Sequence, residues 1–274
     1  MSVLGIIAGG GDLPKAIAES VRDDGRAVFV ISLGADCWVD DYPHVAVSLG
    51  EVGKVVKALR EAGCTEVVLA GKLARPKFSE IKLDTKGMLV APRIIAAARQ
   101  GDDALLRAVV DTFEREGFHA IGAQEAAPGL LAEAGVMGTI KPSAEDEADV
   151  AAAFRIVRAM GALDVGQAAV VCEGLPLAVE AADGTDAMIA RIATLPAHFR
   201  GTEKHRKGVL AKAPKPIQDH KTDLPVIGLQ TVHNAAEVGL AGIAVEAGGA
   251  LILGKHAVIA EADRLGLFVV GVKP

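Results

Sequence analysis

One stretch of sequence decides the fold class: residues 3–14 read VLGIIAGGGDLP. The apolar run predicts a short buried strand, and the glycines that follow it predict a tight turn from strand to helix. A helix is predicted to begin at Leu13, with Asp12 at its N-cap and Pro14 in its first turn. The order of strand, glycine turn and helix is typical of the first unit of an α/β fold.

The same alternation continues through the first half of the chain, which predicts a doubly wound parallel sheet. A helix is predicted at residues 13–24, followed by the strands 27–32, 45–48 and 66–70, the helices 51–62, 90–99 and 102–116, and the strand 118–122. Residues 134–144 are typical of a linker. The sequence therefore predicts two domains, residues 1–133 and residues 145–274.

The second half combines its elements differently. Two strands, 167–172 and 177–181, are close enough in sequence to form a hairpin. Further strands are predicted at 209–212, 226–229, 243–246, 251–253 and 268–272, and helices at 145–159, at 185–193, near residue 235 and at 256–265. We therefore expect a second α/β domain that differs from the first.

Composition limits the function classes. The net charge of −6 argues against a general nucleic-acid binder. The three cysteines are widely spaced and form no zinc pattern, which indicates a reducing compartment. No apolar run reaches the roughly 18 residues that a membrane span requires. We expect a cytoplasmic protein, and the sequence leaves open a peripheral membrane contact and a homo-oligomeric state.

The glycine turn is the first candidate site. Its glycines allow a ligand to approach the backbone, and the start of the helix offers N–H groups to an anion. The dinucleotide fingerprint fails, because Pro14 stands where its third glycine would be, so nicotinamide chemistry is disfavoured. The alternative is a tight turn in which Asp12 only caps the helix.

Lys72 and Arg75 form the second candidate site, because they follow the predicted strand 66–70 directly. The carboxyl ends of strands line the ligand crevice of open α/β sheets. Two cations there would suit an anionic ligand. The alternative is a surface loop with solvated charges.

Residues 180–186 form the third candidate site, at the end of a strand and the start of a helix. Gly184, Thr185 and Asp186 would offer amides and a hydroxyl to a phosphate, and Glu180 or Asp186 would hold a metal. The alternative is that Thr185 or Asp186 only caps the helix.

Residues 212–231 form the fourth candidate site, a segment that crowds lysines, aspartates and glutamine between three prolines. Prolines lower the entropy cost of ordering a loop. Phosphoanhydride hydrolysis requires charge neutralisation and an oriented water, which a divalent metal on carboxylates and lysines can supply. The alternative is a solvated connector between strands.

Several motifs together resemble one family. They are IAGGGDLP at residues 7–14, GK and RP within 71–76, GDD at 101–103, GTDAMI at 184–189, KP, QD and DLP within 215–225, and AGIAVEAG at 241–248. This set, in this order along nearly the whole chain, resembles the UDP-2,3-diacylglucosamine pyrophosphatases of the LpxI type.

The resemblance implies a function and an architecture. It implies hydrolysis of UDP-2,3-diacylglucosamine to UMP and 2,3-diacylglucosamine 1-phosphate (lipid X), a Mg²⁺-dependent step of lipid A biosynthesis in Gram-negative bacteria, with Mn²⁺ as the alternative ion. It also implies a Rossmann-like N-terminal domain and a distinct α/β C-terminal domain, with the lipid-linked substrate between them. A peripheral contact with the inner membrane would fit such a substrate.

The resemblance and the residue patterns together give the candidate site. Asp223, from the DLP motif, carries over as an essential catalytic or metal-binding group, and Gln218 and Lys215 are the other catalytic candidates. The predicted substrate-binding residues are Gly9, Gly10, Gly11, Asp12, Leu13, Lys72, Arg75, Gly184, Thr185, Asp186, Lys212 and Thr231. The alternative function is a non-catalytic nucleotide or lipid-sugar binder that uses the same interdomain cleft.

Overall fold

The computed structural model of the protein describes residues 3–33, 37–73, 81–216 and 224–274, except the side chains of Cys37, Asp102 and Asp103. The chain divides into two compact units between Gly129 and Leu130. No helix in the described part of the chain is both long enough and apolar enough to cross a bilayer.

The first unit is built on a parallel sheet. Its described strands are β1 (Val3–Ala8), β2 (Val28–Ser32), β3 (His44–Ala46), β4 (Cys64–Ala70) and β5 (His119–Ala120). Its described helices are α1 (Leu13–Asp23), α2 (Val52–Glu61), α3 (Thr85–Ala98), α4 (Asp102–Arg115) and α5 (Ala123–Ala126). The strand order is β3-β2-β1-β4-β5, and every pair is parallel. The order reverses between β1 and β4, as in doubly wound folds, so the predicted class is confirmed.

One hydrophobic cluster of the first unit lies between the sheet and helices α2 and α4. Ile7 and Val67 of the sheet pack in one buried cluster with Leu59 of α2 and with Val110 and Phe113 of α4. Burying each such side chain contributes about 1.5–3 kcal/mol. The alternating pattern of apolar strand and amphipathic helix therefore explains how this unit folds.

Helix α3 begins at Thr85, five residues before the predicted start at 90. The side chain of Asp84 accepts a hydrogen bond from the Gly87 amide at 2.6 Å, which satisfies a donor of the first turn. Pro92 lies inside the helix. The predicted start at residue 90 is wrong because Asp84 caps the helix earlier in the chain.

The second unit contains a mixed sheet and a small separate strand pair. Its described strands are β6 (Gly135–Val136), β7 (Ala168–Cys172), β8 (Leu175–Val179), β9 (Val209–Lys212), β10 (Val226–Ile227), β11 (Gly242–Glu246), β12 (Leu251–Ile252) and β13 (Phe268–Val272). The main sheet has the order β6-β13-β11-β9-β7-β8, and β10 pairs with β12. Strands β9, β11 and β13 run parallel, and β6 and β7 pair antiparallel with their neighbours.

Helices cover both faces of this second sheet. They are α6 (Ala144–Ala162), α7 (Gly184–Ile192), α8 (Leu229–Glu237) and α9 (Lys255–Leu265). Helix α6 packs on one face through residues such as Phe154 and Val157. Helices α7, α8 and α9 pack on the other through residues such as Ile189, Val232 and Val258. The second unit is therefore a three-layer α/β structure.

Two local features explain how this unit's sequence folds. The predicted hairpin is confirmed: β7 and β8 pair antiparallel, and the turn residues Glu173 and Gly174 have φ of 52° and 76°. The buried Asp149 of α6 accepts hydrogen bonds from both turn amides, at 2.8 and 2.7 Å. Ser143 and Asp146 cap α6 reciprocally, as the acidic start of that helix predicts.

Two stretches differ from the sequence-based expectation. Gly135 and Val136, in the segment interpreted as a linker, form an edge strand paired with β13. The strand predicted at 226–229 ends at Ile227, because Gly228 is the N-cap of α8 and Leu229 is its first residue. Two-residue strands carry too short an apolar pattern for a sequence to reveal.

Candidate functional site

Polar residues from four separated parts of the sequence meet at one edge of the second sheet. Lys212 ends β9, Glu246 ends β11, and Glu180 directly follows β8. Because β7 runs antiparallel to β9, Gln167 at its beginning lies at the same edge. The carboxyl ends of parallel strands are the usual ligand-binding edge of α/β sheets.

Lys212 is the central charge of this edge. Only 5% of the residue is exposed. Its Nζ donates to Thr185 Oγ1 and to the Val226 carbonyl, both at 3.0 Å. These contacts join the end of β9 to the start of α7 and to β10. A buried ammonium of this kind interacts with an anion more strongly than an exposed one does.

The carboxylate of Glu180 accepts a hydrogen bond from the same threonine, Thr185. Thr185 Oγ1 donates to Glu180 Oε1 at 2.5 Å. Glu180 Oε2 accepts a hydrogen bond from the backbone N–H of Gln167 at 2.9 Å. Glu180 is 7% exposed. The Lys212–Thr185–Glu180 cluster is thus a hydrogen-bonded series in which the carboxylate partly balances the ammonium and fixes the hydroxyl between them.

Gln167 adds an unusual feature to this edge. Its side-chain oxygen is buried and has no hydrogen-bond partner among the residues that the structure describes. Buried polar atoms are nearly always paired, so an orphaned one requires an explanation. Its position beside Glu180 identifies Gln167 as a residue that the sequence analysis missed. The only signal for it was the antiparallel hairpin, which brings the start of β7 to this edge.

Lys215, predicted to be catalytic, forms an ion pair with Asp164. Its Nζ lies 2.7 Å from Asp164 Oδ1, and 15% of its side chain is exposed. The loop that carries Lys215 lies against α6 at Gly161, where an added Cβ would be 3.2 Å from the Lys215 Cα. No pattern in the sequence indicates that Asp164 is the partner of Lys215.

Asp186 and Thr231, predicted to bind substrate, have contacts within the helices. Asp186 Oδ1 accepts from Asn234 Nδ2 at 2.9 Å, which links α7 to α8. Thr231 Oγ1 accepts from the Gly228 amide at 3.4 Å, at the start of α8. Gly184 begins α7 with φ of +78°. Of the predicted residues at 184–186, Thr185 is the one that contacts Lys212.

The glycine turn of the first unit is held by the loop after β4. Gly10 and Lys72 exchange backbone hydrogen bonds, at 2.8 Å from the Gly10 amide and 2.7 Å from the Lys72 amide. The two loops follow β1 and β4, between which the strand order reverses. Ligands of doubly wound folds bind at this reversal point.

Close backbone packing explains two of the glycines. An added Cβ at Gly9 would lie 2.7 Å from the Lys72 carbonyl oxygen, and one at Gly71 would lie 2.8 Å from the Gly10 carbonyl oxygen. Gly71 also has φ of +93°. The glycines at 9–11 were predicted to let a ligand approach the backbone. At Gly9, the group that approaches is the loop after β4.

Asp12 occupies the N-cap position of α1, but its side chain makes no capping hydrogen bond. The capping role predicted for that side chain is therefore wrong, although its position is right. The residue is exposed, and Leu13 begins the helix. Pro14 in the first turn carries no N–H, so it leaves one fewer amide there to be satisfied.

Three predicted site residues, Arg75, Gln218 and Asp223, lie outside the described residues. Within the described residues, no group of three or more His, Cys, Asp or Glu side chains could hold a metal ion. Glu180, the carboxylate in the Lys212 cluster, is engaged by Thr185 and the Gln167 amide. Magnesium prefers several oxygen ligands, so the described residues form no complete site for it by themselves.

The buried thiols do not suit nucleophilic catalysis. Burial raises the pKa of Cys64 and of Cys172 to about 11 in each case. A thiol is nucleophilic as the thiolate, and at neutral pH almost none would be present. Covalent catalysis by either cysteine is therefore disfavoured.

Fold and site together define a two-unit α/β protein in which a half-buried threonine joins a buried lysine to a buried glutamate at the edge of the second sheet. Models of the LpxI N-terminal domain and the LpxI C-terminal domain match residues 3–130 and 133–270. A relative from Caulobacter vibrioides, the UDP-2,3-diacylglucosamine pyrophosphatase LpxI, is 52% identical over 276 residues, which cover 100% of this chain and 99% of that protein. The chain belongs to the LpxI family.

Solved structures share less with this chain. The CobK precorrin-6A reductase is 16% identical, with a TM-score of 0.35 over 100% of this chain and 88% of that one. A UDP-N-acetylglucosamine 4-epimerase from Bacillus cereus is 16% identical, with a TM-score of 0.26 over 44% of this chain and 34% of that one. Neither similarity is strong enough to support a conclusion about function.

Proposed function

We propose that this protein hydrolyses the diphosphate of UDP-2,3-diacylglucosamine to UMP and 2,3-diacylglucosamine 1-phosphate, in lipid A biosynthesis. The observation that carries the proposal is the 52% identity, over the whole chain, to a relative named for this pyrophosphatase activity. The buried Lys212 at the ligand-binding edge of the second sheet supports it independently, because a diphosphate substrate requires a cation there.

The Lys212–Thr185–Glu180 cluster suggests how the chain would assist the reaction. Negative charge on the phosphoryl oxygens must be stabilised as the anhydride bond breaks. Lys212 would bind those oxygens, and Thr185 would hold its ammonium in place through the 3.0 Å contact. Since hydrogen bonds to Thr185 and to the Val226 carbonyl already orient the ammonium, little reorganisation would be needed when the substrate binds.

Further roles are proposed for residues of the loop after β9. Lys215 and Gln218 would bind the diphosphate, and Asp223 would hold the metal or activate the attacking water. The Lys215 side chain would have to share its ammonium with Asp164, 2.7 Å away. A bound Mg²⁺, or Mn²⁺ in its place, would supply charge neutralisation on the diphosphate. Asp223 is the proposed protein ligand of the ion.

Residues of the first unit would bind another part of the substrate. Gly11, Asp12 and Lys72 lie on the two loops that meet at the reversal point of the first sheet. An added Cβ at Gly11 would meet no atom of the described residues within 4 Å, so a ligand would find room beside its backbone. The uridine nucleotide is the part of the substrate that such a crevice suits.

The test is UMP release from UDP-2,3-diacylglucosamine by the purified protein. We expect release with Mg²⁺ or Mn²⁺, loss of release with a chelator, and recovery when the ion is added back. Release that continues unchanged in excess chelator would remove the metal from the proposal. Saturable binding of the substrate without UMP release, with either ion, would instead assign a non-catalytic binding protein.

A further inference from the structure

Helix α3 presents an apolar face to solvent. After the exposed Thr85 of its first turn, the exposed positions Met88, Leu89, Pro92 and Ala96 follow the spacing of one helix face. We call these four residues the α3 stripe. Leu89 is 77% exposed and Met88 is 57% exposed. The solvent face of a surface helix is normally polar, so the α3 stripe is the reverse of the usual pattern.

A shallow groove runs beside the stripe. It has a volume of about 430 Å³, and its lining includes Leu83, Met88, Pro92, Ile95 and Arg99. The groove extends the apolar surface beyond the four exposed side chains. Large apolar side chains exposed together on one helix face are candidates for contact with a partner or a membrane.

Charge at the ends of the stripe favours an anionic partner. Lys82 and Arg99 are both exposed, one before the helix and one after it. The exposed residues of the described stretch 81–100 include no carboxylate. The acid of that stretch, Asp84, accepts hydrogen bonds from the Lys54 and Gly87 amides. Residues 81–101 thus carry four basic side chains and one acidic one in a chain whose net charge is −6, and Asp102 and Asp103 follow them in the sequence.

We propose that the α3 stripe docks this protein onto an anionic phospholipid surface. An apolar helix face flanked by cations inserts at the boundary between headgroups and acyl chains, and each cation adds attraction to anionic lipid. A second copy of the chain fits less well, because pairing two identical stripes would bring the exposed cations Lys82 and Arg99 of both copies to one interface. The proposal concerns membrane contact and does not depend on the chemistry of the proposed function.

The test is cosedimentation of the full chain with vesicles made of equal parts phosphatidylglycerol and phosphatidylcholine. We expect binding that weakens with salt and that is much weaker on pure phosphatidylcholine. Leu89→Gln should lower the partition coefficient about tenfold or more, because a fully buried leucine stabilises by about 1.5–3 kcal/mol. Leu163→Gln is the matched control, since Leu163 is 76% exposed at the end of α6.

Each other result would overturn the proposal. Failure of the wild-type protein to bind the anionic vesicles would do so, and so would equal binding by the Leu89→Gln and Leu163→Gln proteins. A dimer in sedimentation that Leu89→Gln abolishes would assign the stripe to a second copy instead. Both substitutions lie at exposed positions, so circular dichroism should show unchanged folding. Vesicle binding is measured without turnover, so a failure of the proposed hydrolysis leaves this test intact.

Discussion

Replacing Lys212 with methionine removes one positive charge from the edge of the second sheet and keeps an unbranched side chain that is one atom shorter. The ammonium donates to Thr185 Oγ1 and the Val226 carbonyl, each at 3.0 Å. Loss of one preorganised donor to developing charge typically lowers kcat by about a hundredfold to a thousandfold, or about 2.7–4 kcal/mol. We expect a loss of that size in UMP release.

The same substitution should change stability much less than activity. An unpaired Val226 carbonyl would cost about 1–3 kcal/mol. Removing the buried ammonium offsets part of this cost, since a buried charge is itself expensive. Thermal melting followed by circular dichroism should therefore show a folded protein with a lowered melting temperature.

Lys207 provides the control for charge removal. Its Nζ lies 2.9 Å from Glu173 Oε2, and 31% of its side chain is exposed. An exposed ion pair contributes little, so Lys207→Met should leave kcat nearly unchanged. Wild-type kcat in a folded Lys212→Met protein would refute the role given to Lys212.

Two further substitutions test the contacts of Glu180 in the Lys212–Thr185–Glu180 cluster and the contact between the glycine turn and the loop after β4. Glu180→Gln keeps the shape of the side chain and removes the charge that accepts hydrogen bonds from the Thr185 hydroxyl and the Gln167 backbone N–H. Hydrogen bonds to charged groups contribute about 1.5–3 kcal/mol. We therefore expect kcat to fall about tenfold with little change in KM. An unchanged kcat would show that Glu180 does not position the cluster. Gly71→Ala should lower the free energy of unfolding by about 1–3 kcal/mol in urea titrations, because φ is +93° and the new Cβ would crowd the Gly10 carbonyl. Gly25→Ala, with φ of +76° and open space around its Cβ, is the control, and an equal effect at both positions would contradict the loop contact.

The architecture could be predicted because its signals are local. The apolar run of β1, the glycine turn and the helix after it lie within residues 3–23 of the chain, and the alternation then repeats. Errors arose where a single residue set a boundary. Asp84 starts α3 early, and Gly228 ends the strand at Ile227.

The candidate site could be predicted only in part, since its contacts join distant residues. Lys212 and Thr185 carry their own signals, a strand end and a helix start. Gln167 and Asp164 carry none, because their roles depend on which strands pair and on where the loop after β9 lies. The glycines at 9–11 were predicted to allow a ligand to approach the backbone, and the sequence could not show that the group against Gly9 is the loop after β4.

The most direct test of the account compares kcat for UMP release between Asp223→Ala and Asp219→Ala, two aspartates of one short segment. With saturating Mg²⁺, we predict that Asp223→Ala lowers kcat about a thousandfold or more, as expected for a group that holds the metal or activates water. Asp219→Ala should stay near the wild-type rate. A folded Asp223→Ala protein that releases UMP as fast as Asp219→Ala would contradict the account.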